Sequence, residues 1–305
     1  MGTNWKRGAL AGFFLFGSAT CGMEPVDPAD IDVSPLAEFA PSGCPEPPPG
    51  MAPAAYEAIE AVNRTRKLAD LGCVELVPEI NIAAEQHCQY YMSNTGACTS
   101  NPHREKESCT NFTAETFSDR LRRHKYPGDP RFEVMAYVGS GQVSVQQWLD
   151  SVWHRLPILS PEVDQAGYGA WGRCDTMDFG YGRGGPTQRN IVYPIGGQTE
   201  VPLAFYGRES PEPPPPPTGW PSGYPITLYA AGMKATAHRI LNDETGEELD
   251  HIWLPPGDRR AYGLLIDEFM AYTWEPLRPN TRYRVVIEGV QHGEPKVFDW
   301  TFTTR

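Results

Sequence analysis

Three side chains in this sequence are of types that can hold a water, a proton or a cation. His103 follows Asn101-Pro102 in a loop bounded by Cys98 and Cys109. Glu133 is the lone acid in the apolar run Phe132-Glu133-Val134-Met135-Ala136-Tyr137, and His154 closes the segment Trp148-Leu149-Asp150-Ser151-Val152-Trp153-His154-Arg155. Two neutral imidazoles and one carboxylate can bind a divalent cation such as Zn2+ and leave one position open for water. The same set serves some hydrolytic metal sites, in which the bound water becomes the nucleophile. No paired-histidine spacing brings two of these ligands onto one helix, and no further residue stands out as a general base. The other reading of the three is a hydrogen-bonded polar cluster that holds helices against a sheet.

The elements that must position them follow from periodicity. Ala55, Ile59 and Val62 repeat at helical spacing, and so do Ile80, Ala83, Ala84, His87 and Tyr91. Phe117 and Leu121 predict a third helix; Val145, Trp148, Leu149 and Val152 predict a fourth, ended by Pro157. Strand-like stretches follow at 167–171, 190–193 and 203–206. Helices followed by short strands imply an α+β domain. Within it, His87 sits on an apolar helix face and reads as structural, Asn63 and Arg66 as a buried hydrogen-bond anchor, and Trp148 and Trp153 as core. The basic run Arg120, Arg122, Arg123, His124 and Lys125 reads as a solvated helix face.

Beyond residue 208 the pattern changes. Five consecutive prolines, Pro213 to Pro217, read as a stiff spacer. Short strands are expected at 226–229, 235–241, 262–266, 283–287 and 298–303, separated by turn residues, which describes a β-sandwich. With 305 residues, two domains are the natural expectation, here 54–208 and 224–305 joined by a linker at 209–223. A net charge of −12 argues against nucleic acid or an anionic membrane surface as the main partner.

The N-terminus reads as an export signal over 1–21: Lys6 and Arg7, an apolar stretch from Ala9 to Phe16, then Gly17, Ser18, Ala19, Thr20 and Cys21. The apolar stretch is far shorter than the roughly 20 residues of a membrane span. Small residues before a cysteine resemble a bacterial lipobox, although Ser18 stands where leucine is usual and Thr20 where glycine or alanine is. Seven cysteines are an odd number. With Cys21 carrying lipid, Cys44, Cys73, Cys88, Cys98, Cys109 and Cys174 remain, enough for three disulfides in an oxidising compartment. Residues 22–53, rich in proline and acids, then read as a tether.

Taken in order, these segments resemble the CAP superfamily, the cysteine-rich secretory, antigen 5 and pathogenesis-related 1 proteins. Ile59-Glu60-Ala61-Val62-Asn63-Arg64-Thr65-Arg66 with Leu71-Gly72 is similar to the family's opening helix, and Ala83-Ala84-Glu85-Gln86-His87 to its second. His103 stands at the first cleft histidine, and Glu133 at the cleft glutamate. Trp148, Ser151, His154, Arg155, Ile158-Leu159 and Gly167-Tyr168-Gly169 resemble the bacterial form of the pattern. Phe132 and Val134 depart from the residues usual beside that glutamate, and the second cleft carboxylate has no counterpart, Asp150 and Ser151 lying nearest. The resemblance covers about 55–206 and implies a CAP-type α-β-α sandwich, apolar ligands such as sterols or fatty acids, and in some cases a metal in the cleft. Leu277-Arg278-Pro279-Asn280-Thr281-Arg282-Tyr283 and Phe298-Asp299-Trp300-Thr301-Phe302-Thr303-Thr304 resemble bacterial Ig-like domains. That module contains no cysteine and no cluster of reactive groups.

Three functions are compatible with this reading. The first is an exported binding module for a lipid-like small molecule or an extracellular or envelope protein, held at a bacterial outer membrane or cell surface by a lipid anchor alone, or secreted. The second is a metal-dependent hydrolase, a protease or nuclease, with His103, Glu133 and His154 as ligands. The third is an envelope scaffold without ligand. Binding rather than turnover is expected, and within the cysteine-closed loop a Cys98–Cys109 bridge is expected beside His103.

Overall fold

A computed structural model describes residues 43–182 and 189–305. The signal segment, Cys21 and most of the tether lie outside the described residues.

The first unit is built around a mixed sheet. Helix α1 (Pro53–Leu68) starts with proline at its first turn, where the missing N–H costs nothing, and buries Ala55, Ala58, Ile59 and Val62. Then come β1 (Glu75–Leu76), α2 (Pro78–Ser93), α3 (Phe117–Arg123), β2 (Asp129–Ala136), α4 (Gly141–Leu149), α5 (Arg155–Leu159), β3 (Gln165–Trp171) and β4 (Cys174–Tyr181). The strand order is β1-β3-β4-β2, with β1 parallel to β3 and the other pairs antiparallel. The Gly167-Tyr168-Gly169 segment explains the layering. A Cβ on Gly167 would lie 2.4 Å from the Asn81 nitrogen, and one on Gly169 would lie 2.0 Å from the Glu85 nitrogen. Helix α2 therefore rests its backbone directly on β3, which only glycine permits. Tyr168 points to the other face, into a cluster with Val62 of α1 and Val145 and Trp148 of α4. The result is the expected α-β-α sandwich.

Three disulfides hold this unit: Cys44–Cys73, Cys88–Cys174 and Cys98–Cys109. The first fastens the end of the tether to the loop after α1, the second ties α2 to β4, and the third closes the loop that carries His103. Arg66 and Asn63 are the anchors the sequence implied. Arg66 donates to the carbonyls of Gly72, Ile158, Ser160 and Val163, and Asn63 exchanges two hydrogen bonds with the Val74 backbone. Pro157 sits inside α5 rather than ending α4, which stops at Leu149.

The second unit is an all-β sandwich. Strands β5 (Ile191–Tyr193), β8 (Ile226–Tyr229), β10 (His251–Leu254) and β11 (Glu268–Thr273) form one sheet in the order β10-β11-β8-β5. Strands β9 (Met233–Asn242), β12 (Arg282–Gln291) and β13 (Glu294–Thr303) form the facing sheet in the order β13-β12-β9. Val285, Ile287, Trp300 and Phe302 meet Ile226, Leu228 and Phe269 between them.

Three expectations change here. The boundary at 208 falls too late, because β5 pairs with β8 and β6 (Ala204–Phe205) pairs with β7 (Ser222–Gly223). The proline run is no free spacer: Pro213 and Pro216 are buried, and Tyr272 donates from its hydroxyl to the Pro214 carbonyl at 2.7 Å. Residues 262–266 form no strand. The chain makes a 3-10 turn at Arg259–Ala261, passes through a left-handed Tyr262 and only then enters β11. A single apolar cluster runs from Val62 and Trp148 to Tyr224, Ile226 and Trp300, so the two units share one core.

Candidate functional site

His103 and Glu133 meet across the sheet edge. Strand β2 delivers Glu133 and the disulfide-closed loop delivers His103, whose Nδ1 donates to Glu133 Oε1 at 2.9 Å. The other carboxylate oxygen accepts a short charge-assisted bond from the Arg120 guanidinium. Burial opposes ionisation of Glu133. Arg120, with His87 and the hydrogen bond from His103, outweighs it and holds the carboxyl well below the usual range. Asp178 lies opposite Glu133 in the sheet register. Burial and the Glu133 charge push its carboxyl well above the ordinary value, only partly offset by Arg120. Two ionised carboxylates could offer each other only acceptors, and neither Asp178 oxygen has a donor partner.

Arg120 corrects the sequence reading. Its neighbours Arg122, Arg123 and Lys125 are exposed as expected, but Arg120 itself is fully buried. It faces inward because α3 packs its inner side on β2 and α2. His87 is structural, as expected: Nδ1 meets Glu105 Oε1 at 2.9 Å and Nε2 meets the Pro102 carbonyl at 2.6 Å. These bonds brace the loop leading to His103.

His154 is held by a carboxylate from the other unit. Its Nδ1 donates to Glu209 Oε1 at 2.6 Å. The same carboxylate accepts backbone N–H bonds from Val152 (2.8 Å), Trp153 (2.7 Å) and His154 (3.0 Å). Asp150 and Ser151, the nearest candidates in sequence, are occupied elsewhere. Asp150 accepts from the Tyr224 hydroxyl and Gln146, and Ser151 donates to the Trp148 carbonyl. Arg155 donates into the second unit at the Pro225 carbonyl and lies over the rings of Tyr193 and Tyr224.

His103, Glu133 and His154 border one cleft of about 360 Å3. Phe117, Phe132, Trp153 and Leu156 of the first unit line it, and Leu264 and Ile266 of the second unit close the far wall.

Residues 59–181 match the cysteine-rich secretory protein (CAP) family. This segment is a CAP domain. Two solved structures share the likeness. One is an extracellular protein containing an SCP domain from Bacillus anthracis str. Ames, 21% identical, with 42% of this chain and 40% of that chain covered and a TM-score of 0.37. The other is a cysteine-rich secretory protein from Staphylococcus aureus subsp. aureus Mu50, 16% identical, with 44% and 40% covered and a TM-score of 0.33. The chain thus spans about 40% of the length of each. No curated protein matches it.

Of the three residues whose types allow a divalent cation, His103 and His154 have Nδ1 bound to a carboxylate and keep Nε2 toward the cleft. Arg120 and His103 take the two oxygens of Glu133, and Glu209 takes Nδ1 of His154. Among the described residues no group of three His, Cys, Asp or Glu side chains is disposed to hold a metal ion. Glu209 escapes a sequence reading because it precedes the proline run, outside the CAP segment, where nothing local marks it as buried.

Proposed function

We propose that this chain is an exported binding module whose cleft takes the apolar part of a small lipid-like ligand. One observation carries the reading: an apolar cleft of about 360 Å3, within the range of small-molecule sites, bordered by a few polar groups that are already held in place. The polar groups are braced rather than poised. Glu133 is neutralised by Arg120, and His154 is fixed by Glu209, which favours recognition over turnover.

Three disulfides are the chemistry of an oxidising compartment and support export. They use every cysteine except Cys21, which supports lipidation there and a tethered position at the cell surface. The β-sandwich, with its Tyr283, Trp300 and Phe302 core, fits an Ig-like module that serves as a cleft wall rather than a distant spacer.

Native mass spectrometry of the purified mature chain with sterols, fatty acids, alkyl alcohols and alkyl amines tests the reading. One saturable ligand per chain is expected. Absence of saturable binding across the panel would overturn it.

A further inference from the structure

The polar atoms around the cleft are unequal in kind. His154 is 5% exposed, and its Nδ1–H is committed to Glu209. The ring nitrogen left for the cleft is Nε2, which in the neutral imidazole is the lone-pair acceptor. His103 gives its Nδ1–H to Glu133 in the same way. On the wall made by the second unit and the loop before β3, Glu162, Asp267 and Glu268 all border the cleft. Tyr229 borders the cleft beside them, and burial, then the charges of these three carboxylates, pushes its phenol upward. Glu268 is braced by the backbone N–H groups of Ile266 and Asp267, at 3.0 and 3.1 Å. Asp267 accepts from the Gly232 N–H at 3.2 Å. Among the described residues, Arg131 is the one lysine or arginine in the lining, and its guanidinium is paired with Asp129 at 3.0 Å.

An apolar cleft whose border offers acceptors and carboxylates that, among the described residues, have no lysine or arginine partner complements one kind of head group. We propose that the cleft binds an alkylammonium amphiphile, its chain among Phe132, Trp153 and Leu156 and its protonated amine between His154 Nε2 and the Asp267–Glu268 wall. The inference rests on the apolar-cleft reading above and names the ligand's charge. An ammonium carries three donors and no acceptor, so it satisfies these groups without leaving one unpaired. A carboxylate head would face like charge and lone pairs, which is repulsive.

The test compares dodecylamine, dodecanol and dodecanoate at pH 7, where an alkylamine is protonated, by titration calorimetry on the whole chain. Dodecylamine is expected to bind at least tenfold tighter than dodecanol, and dodecanoate weakest. Asp267→Asn with Glu268→Gln should cut amine affinity about tenfold and leave dodecanol unchanged, with Glu244→Gln as a remote control for the chain's overall negative charge. Equal binding of all three heads, or an amine preference that survives the double variant, overturns the proposal while the apolar-cleft reading stands. Failure of all three ligands to bind removes that reading as well.

Discussion

Glu209 binds His154 twice, through the ring Nδ1 at 2.6 Å and through the backbone N–H at 3.0 Å. The two residues are 55 positions apart and belong to different units. The CAP domain's second cleft histidine is thus positioned from outside the CAP domain, by a residue that also caps the turn at Val152 and Trp153.

Replacing Glu209 with Gln places an amide NH2 against backbone N–H donors. A buried, multiply bonded carboxylate lost in this way costs roughly 2–4 kcal/mol. The urea midpoint should fall accordingly, and limited proteolysis should cut first at residues 210–220, around the proline run. A variant as stable as the parent would mean that Glu209 is not a structural link.

Arg120 and Glu133 form a buried ion pair, and removing one member strands the other. Arg120→Leu is expected to cost about 3–5 kcal/mol, and adding Glu133→Gln to recover part of that loss. Denaturation of the two single variants and the double variant gives the coupling. Simple additivity would contradict the pairing.

Burial raises the Asp150 carboxyl to about 6, against the lowering effect of hydrogen bonds from Tyr224 and Gln146. The folded state therefore binds the proton more tightly than the unfolded chain does. Its contribution is fully present below about pH 4 and is lost as pH rises through 6, a change of about 3 kcal/mol. Asp150→Asn keeps one oxygen for both donors and should remove this slope. The variant should gain on the parent between pH 4 and 7, measured by urea unfolding at each pH.

Gly169→Ala would put a methyl 2.0 Å from the Glu85 nitrogen, which is helix backbone and cannot swing aside. Lifting α2 from β3 should cost about 3 kcal/mol or more. An unchanged melting temperature would show that the two backbones do not touch.

How far the sequence could be read depended on whether a residue's partners were near it in pattern. The Gly167-Gly169 pair, Asn63 and Arg66 served the helices and turns their motifs implied, and Cys98 and Cys109 closed the loop they flank. Arg120 was misread because four charged neighbours hide one inward-facing position of a short helix. Tyr262, Leu264 and Ile266 alternate as a strand would, yet all three stand exposed, the last two at the cleft. The true strand, Glu268–Thr273, is almost entirely buried and lacks the alternation that flags a half-buried strand. Glu209 had no local signal at all, since its burial depends on two units docking.

The central claim is that one ligand touches both units at once. Methyl-labelled protein titrated with dodecylamine, followed by NMR, tests this most directly. Saturable shifts at Val134 and Leu156 of the CAP domain together with Leu264 and Ile266 of the β-sandwich, sharing one binding constant, are the expected result. Shifts confined to one unit, or none at these four residues, would contradict it.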